Sequence, residues 1–356
     1  MTNKTLIFKK APANALQIPV AGEHLVIEDR PWDATAPPPP GGITIEILWA
    51  SYDLYLRAKM RDPEVESFVP AYPLNGPVTN DAVARVLKSD SPDYKAGDLI
   101  QGYFPLAEYA TLDKDALTSF LSSGGGKIQN PHGLKDLGLF LGPLGMPGLS
   151  AWCGLYELGK PKAGETILIS SASGAVGQVV GQVAKLEGLK VIGSVGGDDK
   201  LDFILNELKF DGGFNYKKEK PADALKRLAP KGIDIYFDNV GGEHIDAALE
   251  SMNQWGRVVL CGMASQYKLE PEERYGVKNL LLALAKRISL RPFLVFDEGF
   301  GPAYTKDHQA KMQKWLADGS IQAKLAVTDG IDNAANGLIA AFQGKNFGKA
   351  VLKIKD

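Results

Sequence analysis

The residues best spaced for chemistry form a glycine-rich turn, in which Ala172, Gly174 and Gly177 follow the pattern A-x-G-x-x-G. An apolar segment, 166–170, precedes the turn and an amphipathic one, 175–187, follows it, which predicts a strand, a tight turn and a helix. A glycine at the middle position lets the backbone approach a pyrophosphate, and the free N–H groups of the helix attract phosphate. The turn therefore predicts a dinucleotide site, and a tight βα turn with packing glycines is the alternative.

The residues after the next strand indicate which nicotinamide dinucleotide binds. An NAD enzyme places Asp or Glu at the end of that strand to bind the ribose 2′-hydroxyl. Here the strand ends in Ser194–Gly197, and Asp198 and Asp199 come slightly late. Lys200 follows, and its cation suits a 2′-phosphate, although taken alone it also fits a solvated helix residue. The pattern favours NADP.

Residue types for other chemistries are scattered along the chain. The four histidines are His24, His132, His244 and His308. They form no HExxH pattern and no close pair, and the only two cysteines, Cys153 and Cys261, are far apart, so we expect no metal site and no disulfide framework. Cys153 lies in an apolar helical segment, which indicates a buried side chain rather than a nucleophile. The sequence has no GxSxG elbow of a serine hydrolase.

Composition excludes several further classes. The chain has 356 residues and a mass of 38.3 kDa, which corresponds to two domains at roughly 150 residues each. Forty Lys and Arg residues against 42 Asp and Glu give a net charge of −2, which argues against a nucleic-acid partner. The longest apolar run, 280–285, falls far short of the ~20 residues that span a bilayer. The first ten residues lack the apolar core of a signal peptide, and we expect a cytoplasmic location with no membrane partner.

Two different element patterns must position the glycine-rich turn. In the first 140 residues, short β-prone runs at 43–49, 82–87 and 99–103 alternate with Pro- and Gly-rich turns, which predicts a β-barrel or sandwich. A glycine cluster at 122–127 is expected to be a surface loop, with phosphate contact as the lesser alternative. From about residue 144, strands and helices alternate, which predicts a parallel sheet with helices on both faces. The predicted strands there are 166–170, 190–195, 214–216, 233–239, 256–261 and 288–296, and the predicted helices are 148–158, 175–187, 200–207, 222–228, 243–249 and 277–287. The tail is predicted to hold helices at 307–318 and 331–343 and a strand at 350–354.

Several segments in one order carry a resemblance to a known family. They are Met146–Trp152 (MPGLSAW), Ala172–Gly177 (ASGAVG), Phe214–Lys217 (FNYK), Phe237–Glu243 (FDNVGGE), Cys261–Tyr267 (CGMASQY) and Asn346–Lys349 (NFGK). Through them the chain resembles the zinc-free medium-chain dehydrogenase/reductases. Within that family it is similar to the NADP-dependent group of leukotriene B4 12-hydroxydehydrogenases, prostaglandin reductases and alkenal double-bond reductases.

The resemblance implies an α/β fold with two domains. A GroES-like β-barrel substrate and catalytic domain would span 1–143. A Rossmann domain, with a doubly wound parallel sheet that binds NADP, would span 144–305. Residues 306–356 would return to the catalytic domain, and the active site would lie in the cleft between the two. The group is commonly dimeric, and we expect a homodimer that pairs through the apolar edge strand 288–296.

The resemblance also implies the site residues. Gly174–Gly177 would hold the pyrophosphate, and Lys200 and Tyr216 the 2′-phosphate. The full set expected around NADPH is Met146, Gly174, Ala175, Val176, Gly177, Lys200, Tyr216, Asn239, Cys261, Gly262, Tyr267, Phe293, Leu294, Val295 and Asn346. Of these, Asn239, Cys261 and Tyr267 would line the nicotinamide, residues 293–295 would lie along it, and Asn346 would reach the cofactor from the tail.

The implied reaction is reduction of the C=C bond of an α,β-unsaturated aldehyde or ketone by NADPH. Hydride would reach the β-carbon, and the enolate charge would develop on the carbonyl oxygen, where a hydrogen-bond donor stabilises the transition state. Without zinc, the candidate donors are the catalytic candidates Tyr55 and Tyr267 and the nicotinamide ribose 2′-hydroxyl. Either tyrosine is also placed to help protonate the α-carbon. For each tyrosine, a packing role is the alternative.

Three departures from the family pattern concern the substrate range. Leu54 stands where the DPYMR segment of the family has proline, residues 70–80 are unusual, and Arg291-Pro292 replaces a more usual Glu/Gln-Gly. Two other functions stay open at this point. One is an NADPH quinone reductase of the same superfamily, and the other is a non-catalytic NADPH-binding protein.

Overall fold

The structure, a computed structural model, describes residues 1–14, 17–67, 69–267 and 269–355, and the side chains of all of these except Pro271. The strands are β1 (Thr2–Phe8), β2 (Leu25–Pro31), β3 (Ile43–Ser51), β4 (Gly76–Pro77), β5 (Thr79–Ser89), β6 (Leu99–Pro105), β7 (Tyr109–Leu112), β8 (Gly126–Lys127), β9 (Thr166–Ile169), β10 (Lys190–Val195), β11 (Gly212–Asn215), β12 (Ile233–Asp238), β13 (Met252–Leu260), β14 (Ser289–Pro292), β15 (Leu325–Asp329) and β16 (Lys349–Lys353). The α-helices are α1 (Leu56–Lys59), α2 (Lys114–Ser122), α3 (Met146–Cys153), α4 (Gly177–Leu186), α5 (Asp198–Asp202), α6 (Pro221–Leu228), α7 (Glu243–Ser251), α8 (Leu280–Lys286), α9 (Gly301–Ala317) and α10 (Ala334–Phe342). Short 3-10 turns cover Leu137–Leu141, Pro271–Glu273 and Ile331–Asn333, and π-helical turns cover Gly154–Gly159 and Phe203–Glu207.

The chain divides into two compact units. Unit 1 comprises Met1–Leu141 and the residues from Leu325 onward, and unit 2 comprises Gly142–Lys324. The predicted domain end at residue 305 falls inside α9, and the chain enters unit 1 again at Leu325.

Unit 2 is built on a six-stranded sheet in the order β11-β10-β9-β12-β13-β14, in which every neighbouring pair is parallel. This order is that of the doubly wound dinucleotide-binding fold, so the predicted Rossmann domain is confirmed. One face of the sheet packs Leu168, Ile192 and Tyr236 against Leu225 and Leu249 of the covering helices. The strand ends of β9 and β12 therefore lie side by side at one edge of a rigid core.

One predicted strand of unit 2 was too long. The segment 288–296 forms a strand only over Ser289–Pro292. Proline has no N–H to donate to a neighbouring strand, and the chain turns after it. Phe293 and Val295 are then buried at 8% and 7% exposure, while Leu294 points outward at 59%.

Unit 1 is a β structure with a three-stranded sheet, β2-β1-β4, and a larger sheet in the order β15-β16-β3-β5-β6-β8, to which β7 adds through β3. Its core includes Leu6, Ile45, Ala82, Ile100 and Leu352. The last of these comes from β16, which lies between β15 and β3. The GroES-like β-barrel expected for the N-terminal part is confirmed, and its sheet includes strands from the tail.

The glycine cluster at 122–127 is only partly a surface loop. Residues Gly126–Lys127 form β8, which pairs with β6. A Cβ on Gly125 would lie 2.3 Å from the ring of Phe120, so this glycine lets the chain pass over a buried aromatic side chain. The cluster therefore has a packing role.

Within the part of the chain that the structure describes, no helix is both long and apolar enough to cross a membrane.

Candidate active site

The glycine-rich turn connects β9 to α4 as predicted. A Cβ on Gly177 would lie 2.4 Å from the carbonyl oxygen of Ser171, so only glycine allows the helix to start this close to the strand end. The N–H groups of Ala175, Val176 and Gly177 have no hydrogen-bond acceptor among the described residues. They are the unsatisfied donors that a helix start offers to an anion, and the turn therefore fits a pyrophosphate.

Two lysines lie near each other at the end of the next strand. Lys200 is on α5, and Lys217 follows Tyr216 just after β11. Burial lowers the pKa of the Lys200 ammonium, Asp199 opposes this, and the nearby Lys217 cation lowers it further. Tyr216 is 44% exposed, and its ring meets the buried imidazole of His244 edge-on at 5.4 Å. Two cations and a phenol beside a strand end fit the dianionic 2′-phosphate of NADP.

A buried carboxylate, Asp238, organises the end of β12. Its Oδ1 accepts hydrogen bonds from the hydroxyls of Ser170 and Tyr236, at 3.0 and 2.6 Å, and from the N–H groups of Val240 and Gly241, both at 2.9 Å. Its Oδ2 is buried and has no partner among the described residues. Desolvation raises the pKa of this carboxyl. Asp238 therefore fixes the turn after β12 from inside.

Asn239 is held on this turn by the end of β9. Its N–H donates to Ser170 Oγ, and its Nδ2 donates to the Ser170 carbonyl oxygen, both at 2.8 Å. The N–H groups of Cys261 and Gly262 donate to the Asp238 carbonyl oxygen at 2.9 and 3.0 Å. The structure thus brings three of the predicted residues, Asn239, Cys261 and Gly262, to one group of strand ends. Desolvation raises the pKa of Cys261 to about 12, so its thiol stays protonated at neutral pH and is a poor nucleophile.

Tyr267 folds back over its own loop. The N–H of Met263 donates to the Tyr267 hydroxyl oxygen at 3.0 Å, and a Cβ on Gly262 would lie 3.3 Å from that oxygen. The side chain is 52% exposed, and desolvation raises the pKa of the phenol. The hydroxyl proton is not used in the bond from Met263. Tyr267 is therefore a fixed hydroxyl with a proton available to donate.

The other predicted residues of unit 2 lie in packed segments. Met146 opens α3, and its carbonyl oxygen accepts from Ser150 Oγ at 2.9 Å. The Phe293 ring stacks on Phe300 with 5.1 Å between centroids, and the Val295 carbonyl oxygen accepts from the N–H of Gly301 at 2.9 Å. The position of Phe293, Leu294 and Val295 along the nicotinamide stays a prediction.

The predicted residues of unit 1 are Tyr55 and Asn346. Tyr55 precedes α1, and its hydroxyl donates to Asn80 Oδ1 at 2.5 Å and lies 3.1 Å from the Tyr103 hydroxyl. Asn346 precedes β16, and its Nδ2 donates to the Gly348 carbonyl oxygen at 2.9 Å. The two residues thus belong to different local structures of unit 1.

Sequence reasoning missed several residues that shape these places. They are Ser170, Asp238 and Lys217 in unit 2, and Asp53, Asn80, Tyr103 and Lys349 in unit 1. Lys217, Asp238 and Lys349 fall within the segments that carried the resemblance, and Asp53 stands at the start of the segment that departs from the DPYMR pattern. These positions were the available signal. Nothing in the sequence pairs Asn80 or Tyr103 with Tyr55.

No group of three His, Cys, Asp or Glu side chains in the described ranges is arranged to hold a metal ion. The donors near the strand ends are instead hydroxyls and amides.

The fold, with strand-end residues that fit a dinucleotide, indicates the class, an NADP-dependent oxidoreductase with a β-barrel unit and a Rossmann unit. The family described as zinc-binding dehydrogenase matches residues 175–307, and the N-terminal domain of oxidoreductase matches residues 31–120. The chain is 46% identical to an NADP-dependent oxidoreductase of Cochliobolus heterostrophus, over 99% of this chain and 98% of that protein. It is 41% identical to an NADP(+)-dependent 2-alkenal reductase of Nicotiana tabacum, over 88% and 87% of the two chains.

Among solved structures, the chain is similar to CurA of Vibrio vulnificus in complex with NADPH, with a TM-score of 0.85, 30% identity and 99% of each chain covered. The chain belongs to the zinc-free medium-chain dehydrogenase/reductases, in the group that contains the NADP-dependent double-bond reductases. Its cofactor is NADP(H).

Proposed function

We propose that this protein uses NADPH to reduce the C=C bond of α,β-unsaturated aldehydes and ketones. The observation that carries the proposal is a set of fixed tyrosine hydroxyls in a chain so similar to a 2-alkenal reductase. Such hydroxyls suit a reaction whose charge develops on a carbonyl oxygen. The residue roles below belong to the same proposal.

The nucleotide is held by backbone and by cations. The N–H groups of residues 175–177 bind the pyrophosphate, and Lys200 and Lys217 bind the 2′-phosphate. Asn239, which is fixed by Ser170, and the protonated side chain of Cys261 orient the nicotinamide. When bound, NADPH supplies a hydride to the β-carbon of the substrate. The protein holds the nicotinamide and the substrate in a reactive geometry. Reactants held in this way react far faster than reactants that must find the geometry by diffusion.

The carbonyl oxygen is met by hydroxyl donors. As hydride arrives, negative charge moves to that oxygen, and a donor aimed there binds the transition state more tightly than the ground state. Because desolvation raises the pKa of Tyr267, this phenol keeps its proton at neutral pH and acts as a donor. Tyr55 belongs to a second group of hydroxyls, in unit 1.

The first experiment follows the absorbance of NADPH at 340 nm, then that of NADH, against four acceptors. These are trans-2-hexenal, 4-phenyl-3-buten-2-one, 9,10-phenanthrenequinone and cyclohexanone, with products identified by mass spectrometry and NMR. We expect saturated hexanal and 4-phenyl-2-butanone, with NADPH strongly preferred. A quinol product without alkene reduction would instead establish a quinone reductase. Tight NADPH binding with no turnover of any acceptor would indicate a non-catalytic binding protein.

We also infer that the chain forms a homodimer, for which the apolar surface of unit 2 gives the support. β14 is the last strand of its sheet, so one of its edges has no partner strand among the described residues. Large apolar side chains nearby in the sequence are exposed. They are Leu280 at 57%, Leu281 at 74%, Leu284 at 76%, Leu294 at 59% and Phe296 at 65%. An open strand edge flanked by exposed leucines is a feature that soluble proteins normally cover, and a second copy covers it symmetrically. A cytoplasmic location stays a prediction.

A further inference from the structure

A chain of hydrogen bonds with a fixed direction runs through unit 1. It starts at the buried Lys349, whose Nζ donates to Asp53 Oδ1 at 2.6 Å and to the Tyr52 carbonyl oxygen at 2.8 Å. Asp53 Oδ2 accepts from Asn80 Nδ2 at 2.9 Å. The same Nδ2 donates to the Ser51 carbonyl oxygen at 2.8 Å. Both hydrogens of the Asn80 amide are therefore used, and its Oδ1 is left as an acceptor.

That acceptor fixes the direction of the next two bonds. The Tyr55 hydroxyl lies 2.5 Å from Asn80 Oδ1, and because a carbonyl oxygen only accepts, Tyr55 is the donor. A phenol has one proton, so Tyr55 has none left for its second neighbour. Tyr103, at 3.1 Å, must then be the donor to Tyr55. The chain ends at Tyr103, which is 39% exposed.

The two tyrosines differ in what each gives up by donating to another molecule. If Tyr55 turned its proton outward, Asn80 Oδ1, on a residue with 0% exposure, would lose its partner. An unsatisfied buried acceptor is unfavourable, because the oxygen has lost its hydrogen bonds to water without gaining others. If Tyr103 turned its proton outward, it would release only the longer bond, and Tyr55 would keep its bond to Asn80. Tyr103 is therefore the hydroxyl that can donate at the lower cost.

We propose that Tyr103 is the hydroxyl of unit 1 that donates a hydrogen bond to the carbonyl oxygen of the substrate. Tyr55 is then a positioning residue, which Asn80, Asp53 and Lys349 hold in place. Between turnovers, its oxygen accepts the hydrogen bond from the Tyr103 hydroxyl. The inference rests on the proposed function, since it assigns a residue to the oxygen of the same enal or enone. It replaces the direct donor role expected for Tyr55.

The kinetic test compares Tyr103→Phe with Tyr55→Phe in the full-length protein, using NADPH and trans-2-hexenal. Tyr103→Phe should lower kcat about 100- to 1,000-fold, in the range found for loss of one oxyanion donor, with KM for NADPH unchanged. Tyr55→Phe should lower kcat about threefold. The control is Tyr94→Phe, because Tyr94 is a buried tyrosine of unit 1, at 7% exposure, that packs under Lys127. A larger loss in Tyr55→Phe than in Tyr103→Phe would overturn the proposal.

A double variant gives a result that a purely structural role would not produce. Asn80→Ala removes the oxygen that accepts the hydrogen bond from Tyr55. The Tyr55 hydroxyl then becomes free to donate to the substrate in place of the Tyr103 hydroxyl. Adding Tyr103→Phe to Asn80→Ala should therefore cost only about threefold in kcat, so that the two substitutions are strongly non-additive. The same loss of about 100- to 1,000-fold in both backgrounds would contradict the fixed direction of the chain.

A binding measurement keeps this inference separate from the proposed function. The protein carries 13Cζ-labelled tyrosine and NADP+, and hexanamide is added as a carbonyl ligand that has no C=C bond to reduce. The Tyr103 signal, assigned by its loss in Tyr103→Phe, should shift in a saturable way, whereas the Tyr55 signal should move little. If no enal is reduced but the Tyr103 signal shifts, the proposed function fails and the donor role stands. If enals are reduced and only the Tyr55 signal shifts, or neither does, the Tyr103 assignment fails alone.

Discussion

At the scale of single residues, the proposed function assigns the choice of cofactor to the two cations near the end of β10, Lys200 and Lys217. Burial lowers the pKa of Lys200, Asp199 opposes this, and the Lys217 cation lowers the pKa further, so two positive charges lie close together. Under the proposed function, the 2′-phosphate of NADP meets both charges, and the 2′-hydroxyl of NAD carries no charge to meet them. Sequence spacing pointed to Lys200, but it could not identify Lys217, because only the pairing of β10 with β11 brings the two lysines together.

Removing either cation should weaken selection for NADP. Lys200→Ala and Lys217→Ala should each raise KM for NADPH about 10- to 100-fold, since a hydrogen bond to a charged group is worth ~1.5–3 kcal/mol. KM for NADH should change less than threefold. Steady-state kinetics with both nucleotides check this, with Lys226→Ala as the control, since Lys226 is an exposed lysine of α6 in the same unit. Equal effects on NADPH and NADH would show that the lysines do not bind the 2′-phosphate.

The hydrogen-bond chain of unit 1 also marks a limit of sequence reasoning at this scale. Lys349 stands in a segment that carried the resemblance and Asp53 in one that departs from it, but an ion pair between residues so far apart in the chain has no local signature. Periodicity reports which face of an element is buried and not which polar groups meet there. The ion pair between Asp53 and Lys349 forms because β16, which carries Lys349, pairs with β3.

At the scale of elements, α9 supports the start of α3 through a buried histidine. His308 is fully buried, and its Nε2 donates to the Pro143 carbonyl oxygen at 2.8 Å. The same oxygen would lie 1.8 Å from a Cβ on Gly148, so the glycine of the MPG segment is required by this packing. Burial lowers the pKa of His308 to about 4, and the imidazole is neutral in the folded protein at neutral pH.

This histidine should make stability depend on pH. Because the folded pKa lies below the ordinary value near 6.5, the unfolded chain takes up the proton first as pH falls, and the folded state loses stability between about pH 6.5 and pH 4. The slope for one group is ~1.4 kcal/mol per pH unit. The difference in unfolding free energy between wild type and His308→Gln should change by about this slope between pH 6 and pH 5, measured by urea denaturation. His132→Gln, at an exposed position, should keep the dependence of the wild type. A slope in His308→Gln like that of the wild type would refute the role of His308.

The elements of unit 2 were the part of the fold most open to prediction. Strands such as Thr166–Ile169 are buried on both faces and read as unbroken apolar runs, and the helices between them carry one apolar side, so alternation alone indicates the parallel sheet. The overlong strand at 288–296 shows where this fails. Phe293 and Val295 are as apolar as strand residues, but they are buried in a turn after Pro292 that only tertiary packing defines.

At the scale of the whole molecule, the proposed homodimer depends on the exposed leucines of α8. Leu281 and Leu284 lie three positions apart on one helix, on the same face, and both are more than 70% exposed. Burial of such side chains against a second copy stabilises a dimer by about 25 cal/mol for each Å² of apolar surface removed from water.

A charge on this face should separate the copies. Leu281→Glu combined with Leu284→Glu should convert a particle of twice 38.3 kDa into one of 38.3 kDa, because two carboxylates would be buried without partners. Light scattering coupled to gel filtration measures the mass. Leu121→Glu, at a 48% exposed leucine of unit 1, should leave it unchanged. A wild type that elutes as a monomer at working concentration would rule out the homodimer.

The place of β16 between β15 and β3 has a consequence for synthesis on the ribosome. The first 141 residues emerge early, but the larger sheet of unit 1 lacks β16 and β15 beside β3 until the end of the chain is made. All of unit 2 is translated in between, which at ~5–20 residues per second takes on the order of ten seconds or more. During that time the end of β3 that pairs with β16, residues 49–51, presents an unpaired edge next to a carboxylate, Asp53, that still awaits Lys349. Unit 2 can fold while unit 1 waits, and the waiting edge is where chaperones would be most needed by the nascent chain.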